Sequence, residues 1–235
     1  MIIKNNSCRI HPYSGILFGR VHAGIYKQYG ENNDKKVFNT ASLIFYYGAM
    51  GSSKSANALM ANFNHHEVGK TPLLCKPKTD TRDGERIITS RIGLSAPCVY
   101  LEEVVEYPEK KIRQYDCIIV DEAQFATAEQ IDFLADVVDF WNITVICYGL
   151  RADFQNHLFP GSARLLAIAD KIQEIKTACW CGRKATCNAR YNEAGIVRSG
   201  EQVMLGGNDS YIALCRKHFK MGMLYDPEKK QTEKE

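Results

Sequence analysis

The stretch "GAMGSSKS", residues 48–55, decides how the rest of the chain is read. It nearly fits the phosphate-loop pattern G-x-x-x-x-G-K-[ST]: Gly48, Lys54 and Ser55 fall in place, and Ser53 stands where the pattern has glycine. Before it, "SLIFYY" (42–47) is a short apolar run rich in β-formers, and after it "SANALMANFNHHE" (55–67) has helical character. Strand, loop and helix in that order curl successive backbone N–H groups around an anion, with the helix dipole adding to the attraction. Gly48, Ala49, Met50, Gly51, Ser52, Ser53, Lys54 and Ser55 are therefore candidate phosphate-binding residues. Lys54 would neutralise β- and γ-phosphates, and the Ser55 hydroxyl would hold Mg²⁺. Taken alone, the string is also a plain Gly/Ser turn, and Ser53 adds a Cβ where glycine permits a free backbone conformation.

Outward from the loop, the clearest strand lies in "DCIIVDEAQF" (116–125), which is apolar and ends in paired carboxylates. Asp121 would hold Mg²⁺ directly or through water, leaving Glu122 to take a proton from an attacking hydroxyl or water. The competing reading has the pair capping the next helix, where "TAEQ" also looks like a start. Between the two motifs, "KTDTRDGER" (78–86) sets Asp80 and Arg82 around one residue of a polar loop, and an arginine fork suits triphosphate oxygens. "TPLLCKP" (71–77) and "ITVICYGL" (143–150) are further strands. "TAEQIDFLADVVDFW" (127–141) repeats apolar residues at helical spacing through Ile131, Leu134, Val138 and Trp141, and "SARLLAIAD" (162–170) is a further helix. Apolar strands alternating with helices imply an α/β fold: a RecA-like parallel sheet covered on both faces, with ligands at the carboxyl ends of the strands. Gly48, Asp121 and Gly149 fall at that end.

The 235 residues fit one good-sized domain, or one domain plus a small module, and 45% apolar residues suffice for a packed core. A net charge of +3 gives no basic footprint for nucleic acid. No apolar run approaches the roughly 20 residues of a membrane span. The opening "MIIKNNSCRIHPYSG" is too polar for a secretory h-region, so the cytoplasm is the expected compartment. Residues 1–40 read as a poorly ordered extension or an upstream start, 41–177 as the nucleotide-binding unit and 178–221 as a small second unit. Residues 222–235 read as a charged tail.

Of nine cysteines, Cys8, Cys75, Cys98, Cys117 and Cys147 are scattered and read as small buried thiols. Cys179, Cys181, Cys187 and Cys215 crowd the last third. "CWC" (179–181) and "CRKH" (215–218) offer Cys179, Cys181, Cys215 and His218, a recipe for tetrahedral structural zinc. Unliganded thiols, or Cys187 in place of one of the first pair, are the competing readings.

These motifs together resemble the type II thymidine kinases, the cellular and bacterial enzymes with a zinc-bound C-terminal segment. The resemblance covers about residues 42–221, through "YYGAMGSSKS", "DTR", "SRIGLSAP", "VDEAQF", "CYGLRADF", "LFPGS", "CWCGRKAT", "GEQVMLGGNDSY" and "CRKH". It implies phosphoryl transfer from ATP to the 5′-hydroxyl of thymidine, with Mg²⁺ and structural zinc as cofactors. Residues 48–55, Asp80, Arg82, Asp121 and Gln124 would then bind ATP, and Glu122 would be the general base. Met50, Phe125, Leu150 and Phe154 would enclose the thymine ring. Gln202, Val203, Met204, Leu205 and Gly206 would form a lasso around it, with Tyr211 closing it. The Cys-x-Cys spacing of enteric members favours Cys179 and Cys181 over Cys187. A homotetramer and inhibition by thymidine triphosphate are also implied. Two other readings stay open: a zinc-containing ATPase acting on nucleic acid, since "DEAQ" resembles helicase carboxylate motifs, and a silent thymidine-nucleotide binder, motivated by Ser53.

Overall fold

The computed structural model describes residues 40–80, 84–202 and 210–226. Arg82, Val203, Met204, Leu205 and Gly206, Cys8 and almost all of the expected extension and tail lie outside the described residues. Strand β1 (Leu43–Tyr47) runs through the 48–53 loop into α1 (Lys54–Glu67). Strand β2 (Pro72–Lys76) is followed by an antiparallel hairpin, β3 (Ile87–Thr89) and β4 (Ser95–Pro97). A two-residue strand β5 (Val99–Tyr100) then leads to two single-turn helices, α2 (Leu101–Val104) and α3 (Glu109–Ile112). Next come β6 (Cys117–Val120), a 3₁₀ turn at Ala123–Phe125, α4 (Ala128–Trp141) and β7 (Thr144–Gly149). Helix α5 (Pro160–Ile168) and β8 (Lys171–Glu174) complete this part of the chain.

Six strands pair in the order β5-β2-β6-β7-β1-β8, every neighbour parallel. The alternation of side chains across these strands builds two cores. Leu73, Cys75, Ile118, Val120, Val145 and Cys147 face one side, under α4, α5 and the two short helices. Leu74, Cys117, Ile119 and Tyr148 face the other, under Ala58 and Leu59 of α1. The expected parallel sheet covered on both faces is therefore present. Strands β5 and β8 were not expected. The first is only two residues long, and the second, "KIQE", is a mostly exposed edge strand without an apolar pattern.

Helix α4 begins with a capping box: the Thr127 hydroxyl accepts the Gln130 N–H, and the Gln130 side chain accepts the Thr127 N–H. Asp121 and Glu122 do not cap it. The buried side chains of Ile131, Leu134, Val137 and Val138 each contribute about 1.5–3 kcal/mol by leaving water.

Past residue 178 the chain forms an antiparallel sheet, β10-β9-β11, from β9 (Cys187–Asn192), β10 (Gly195–Ile196) and β11 (Tyr211–Leu214). Helix α6 (Arg216–Met221) follows directly. This sheet was not expected, because "CNARYN" shows no apolar alternation and "YIAL" is only four residues.

Candidate active site

The 48–53 loop turns tightly at both of its fixed points. A Cβ on Gly48 would lie 2.3 Å from Ser52 Oγ and 2.5 Å from the Ile175 carbonyl, so only glycine fits there. At the helix start, Ser53 takes φ 59° and ψ 29°, the left-handed region that the pattern's usual glycine adopts without strain. The loop closes around Ser53: its side chain is exposed and makes no cap hydrogen bond, and its carbonyl accepts the Asn57 backbone N–H at 3.0 Å. The Lys54 ammonium folds over the loop, donating to the Ala49 carbonyl at 3.0 Å and to Ser52 Oγ at 3.3 Å. The Met50 N–H donates to Asn188 Oδ1 at 2.8 Å.

Asp121 and Glu122 emerge just past β6. Asp121 is 2% exposed, and the Ser55 side chain hydrogen-bonds its carboxyl. Among the described residues, Asp121 Oδ1 is the buried side-chain oxygen with no hydrogen-bond partner. Burial first, then the neighbouring Glu122 carboxylate, push Asp121 up to about 7. Glu122 itself sits in the left-handed region, φ 52° and ψ 35°, a costly conformation for a side-chain-bearing residue. Its Oε2 accepts a hydrogen bond from Gln124 Nε2.

A cleft of about 290 Å³ joins these parts: Met50, Lys54 and Ser55 from the loop, Glu122, Leu150, and the turn between β3 and β4. Two of the four expected ring-enclosing residues, Met50 and Leu150, line it. Phe154 is 1% exposed, and the Arg190 guanidinium lies over its ring at 3.8 Å. Phe125 is half-buried and packs edge-on against Phe159, with ring centroids 5.6 Å apart. The Tyr211 hydroxyl accepts Arg190 Nε–H at 2.7 Å, and Gln202 Nε2 donates to Asp153 Oδ2 at 3.0 Å. Gln124, expected among the phosphate-binding residues, is fully buried and commits both ends of its amide to protein atoms.

The Asp80 carboxylate lies 3.5 Å from Lys76 Nζ. Lys76 is 0% exposed and also donates to the Gly84 carbonyl at 3.2 Å, so one buried cation meets both Asp80 and Gly84. Sequence reasoning missed Lys76, whose only signal was a lysine at the end of an otherwise apolar strand. It also missed Asn188 and Arg190. Asn188 bridges Met50 to the Ala152 carbonyl, to which it donates at 2.8 Å. Arg190 holds the Glu201 and Gln202 carbonyls at 2.9 and 3.2 Å.

The ligand atoms of Cys179, Cys181, Cys215 and His218 lie within 4.8 Å of one another. Cys179 Sγ is 3.5 Å from His218 Nδ1, and Cys181 Sγ is 4.0 Å from Cys215 Sγ. Trp180 stacks on the His218 ring at 4.1 Å. Cys187, at the start of β9, is buried beside this group but is not part of it. Cys75, Cys98, Cys117 and Cys147 are free and buried, as expected.

A glycine-initiated anion loop with its lysine and serine, facing an acid pair across one parallel sheet, defines a P-loop nucleotide-binding α/β protein. Residues 41–219 match the family described as thymidine kinase, and the chain belongs to that family. The thymidine kinase of Novosphingobium aromaticivorans is 47% identical over 78% of this chain and 98% of its own length. That of Zymomonas mobilis is 49% identical over 76% and 96%, and that of Coxiella burnetii 46% identical over 77% and 96%.

Two outcomes follow from this geometry. Ser53→Gly relieves the left-handed serine and should raise stability by roughly 0.5–1 kcal/mol, after subtraction of glycine's extra freedom when unfolded, with ATP-dependent turnover unchanged or improved. Denaturant midpoints and ATP titrations check both. Because the folded Asp121 carboxyl binds its proton more tightly than an aspartate free in water, the metal-free protein should lose stability as pH rises from about 4 through about 7. Asp121→Asn should flatten that loss and raise the melting temperature at pH 8. A metal-free variant that melts lower than wild type at pH 8 would contradict it.

Proposed function

We propose that this chain transfers the γ-phosphoryl group of ATP to the 5′-hydroxyl of thymidine, giving thymidine monophosphate and ADP. The observation that carries the proposal is the single cleft shared by Lys54, Ser55, Glu122 and Leu150, in a chain of the thymidine kinase family. The loop N–H groups and Lys54 would bind the ATP phosphates, with Asp80 and Arg82 beside them. Glu122 would accept the proton of the 5′-hydroxyl. Met50 and Leu150 would form walls for the base, and Phe125 and Phe154 would support it. Gln202 and the neighbouring 203–206 segment, with Tyr211, would close over its polar edge. Phosphoryl transfer needs alignment and charge neutralisation more than covalent help, and this array supplies both.

Ser55 and Asp121 fit a divalent cation, since Asp121 offers a buried oxygen without another partner beside the Ser55 hydroxyl. Bound there, Mg²⁺ would neutralise charge between the phosphates. The Cys179, Cys181, Cys215 and His218 donor set fits zinc. Tetrahedral Zn–S and Zn–N bonds imply S···S edges of about 3.8 Å and S···N edges of about 3.5 Å, close to the spacings here. With four protein ligands and no open position, that ion would be structural. A cytoplasmic location belongs to the same reading and rests on the free, buried cysteines. Assembly as a homotetramer with inhibition by thymidine triphosphate rests on family membership. The exposed Met60, Phe63 and Val68 at one end of α1 offer apolar surface for self-association.

A coupled assay decides the reaction: ADP release should depend on thymidine, and dependence on single-stranded DNA instead would overturn the proposal. Glu122→Gln should cost about 10²–10⁴ in kcat while thymidine still binds, and near-normal kcat would remove it from the base role. Metal analysis should find about one zinc per chain, lost in Cys179→Ser and retained in Cys187→Ser.

A further inference from the structure

We infer that Gln124 is a positioning residue, whose buried amide fixes the orientation of the Glu122 carboxylate by anchoring it to the end of β7. The inference rests on the kinase reading above and gives Gln124 a different part from phosphate binding.

Gln124 lies in the 3₁₀ turn after the acid pair and is 0% exposed. Its Nε2 donates to Glu122 Oε2, and its Oε1 accepts the Leu150 N–H at 3.0 Å. Only one orientation of the amide satisfies both partners. Flipped, it would set a carbonyl oxygen against a carboxylate and an NH₂ group against an N–H. The Leu150 N–H therefore selects which end of the amide meets Glu122.

Space for this bridge is made by Gly149. A Cβ there would lie 2.8 Å from Gln124 Oε1 and 3.1 Å from the Gln124 backbone nitrogen. Leu150 is held from its other side, since Ser162 Oγ donates to its carbonyl at 2.5 Å. Helix α5, the end of β7 and the acid pair are thus linked through two side chains, Ser162 and Gln124, that meet at Leu150. Two residues that line the cleft, Glu122 and Leu150, become a single rigid unit. Glu122 needs such help: its backbone is in the left-handed region, held locally by the Phe125 N–H to its own carbonyl at 3.0 Å. A carboxylate with three rotatable bonds on a strained backbone has several orientations, and a general base must hold the one that meets the hydroxyl proton.

The test compares Gln124→Met and Gln124→Glu with Glu122→Gln and with the double variant Glu122→Gln/Gln124→Met. Gln124→Met keeps the length and removes both bonds. Gln124→Glu keeps an acceptor for Leu150 and removes the fixed donor to Glu122. Loss of a hydrogen bond to a charged group predicts a kcat lower by about 10- to 100-fold in each single Gln124 variant. The thymidine KM of Gln124→Glu should stay within about threefold of wild type. Because Gln124 acts through Glu122, adding Gln124→Met to Glu122→Gln should change kcat by less than about threefold. Multiplicative losses in the double variant, a kcat unchanged in both Gln124 variants, or a fall in kcat tracking a fall in folded fraction by circular dichroism would overturn the inference. Wild type runs in parallel. If it shows no thymidine-dependent ADP release, the kinase reading fails and takes this inference with it; if it is active and Glu122→Gln is not, a normal Gln124 variant sinks the inference alone.

Discussion

A sheet whose strands are buried on both faces releases polar side chains only past its strand ends, and the chemistry of this protein obeys that constraint. Leu73, Cys75, Ile118 and Val120 fill one core while Leu74 and Ile119 fill the other, so the inner strands β1, β2, β6 and β7 carry one charged side chain, the buried Lys76. Parallel pairing then gathers the ends at one edge. Tyr47 is level with Gly149, and Val120 with Cys147, so Gly48, Asp121, Glu122 and Leu150 all fall beyond adjacent strands. The offset between β6 and β7 sets Glu122 near the level of Gly149, which is why a side chain two residues further on can bridge to Leu150.

Crowding charge at one buried edge has a cost that the surrounding helices must offset. Asp121 is driven toward its protonated form by burial and by Glu122, with Lys54 pulling the other way. Lys76 and Asp80 form a second buried pair, of the kind that is strongly destabilising when one partner is removed. At this edge Ser53 and Glu122, two of the five non-glycine residues with left-handed backbones among those described, hold that conformation at about 1–3 kcal/mol each. Helix α4 alone returns more than this through its four buried apolar side chains. Part of the backbone strain and much of the buried charge thus fall at the strand ends.

The C-terminal sheet is tied to this edge by one strand with two faces. Along β9, Cys187 and Ala189 turn into a small core with Cys179, Leu214, Cys215 and Phe219. The alternate residues, Asn188 and Arg190, turn toward the nucleotide-binding unit. Asn188 holds the Met50 N–H and the Ala152 carbonyl. Arg190 lies on Phe154, meets the Tyr211 hydroxyl and holds two carbonyls at 201 and 202. A strand of six residues thus passes from the Cys/His cluster to the 48–53 loop and to Phe154. Loosening the cluster would be felt at both places without any ligand contact being removed.

How far each residue was legible follows from the range of the interaction that gives it a part. Lys54, Ser55 and Asp121 were legible because their motifs specify local backbone geometry. The grouping of Cys179, Cys181, Cys215 and His218 was legible because pairwise spacing is itself a geometric statement. Lys76, Asn188 and Arg190 were not: Asn188 and Arg190 find their partners eleven or more residues away, and in strings such as "PLLCK" and "CNARYN" nothing marks a polar side chain that will be buried. Gln124 shows the intermediate case. It travels with a legible motif, yet the direction of its amide depends on Gly149 and Leu150, some 25 residues later. Ser53 is the reverse. The sequence poses the question openly, and one torsion answers it: the loop closes with Ser53 itself in the left-handed region and its side chain exposed at the cleft, so the cost of the missing glycine falls on that residue's backbone.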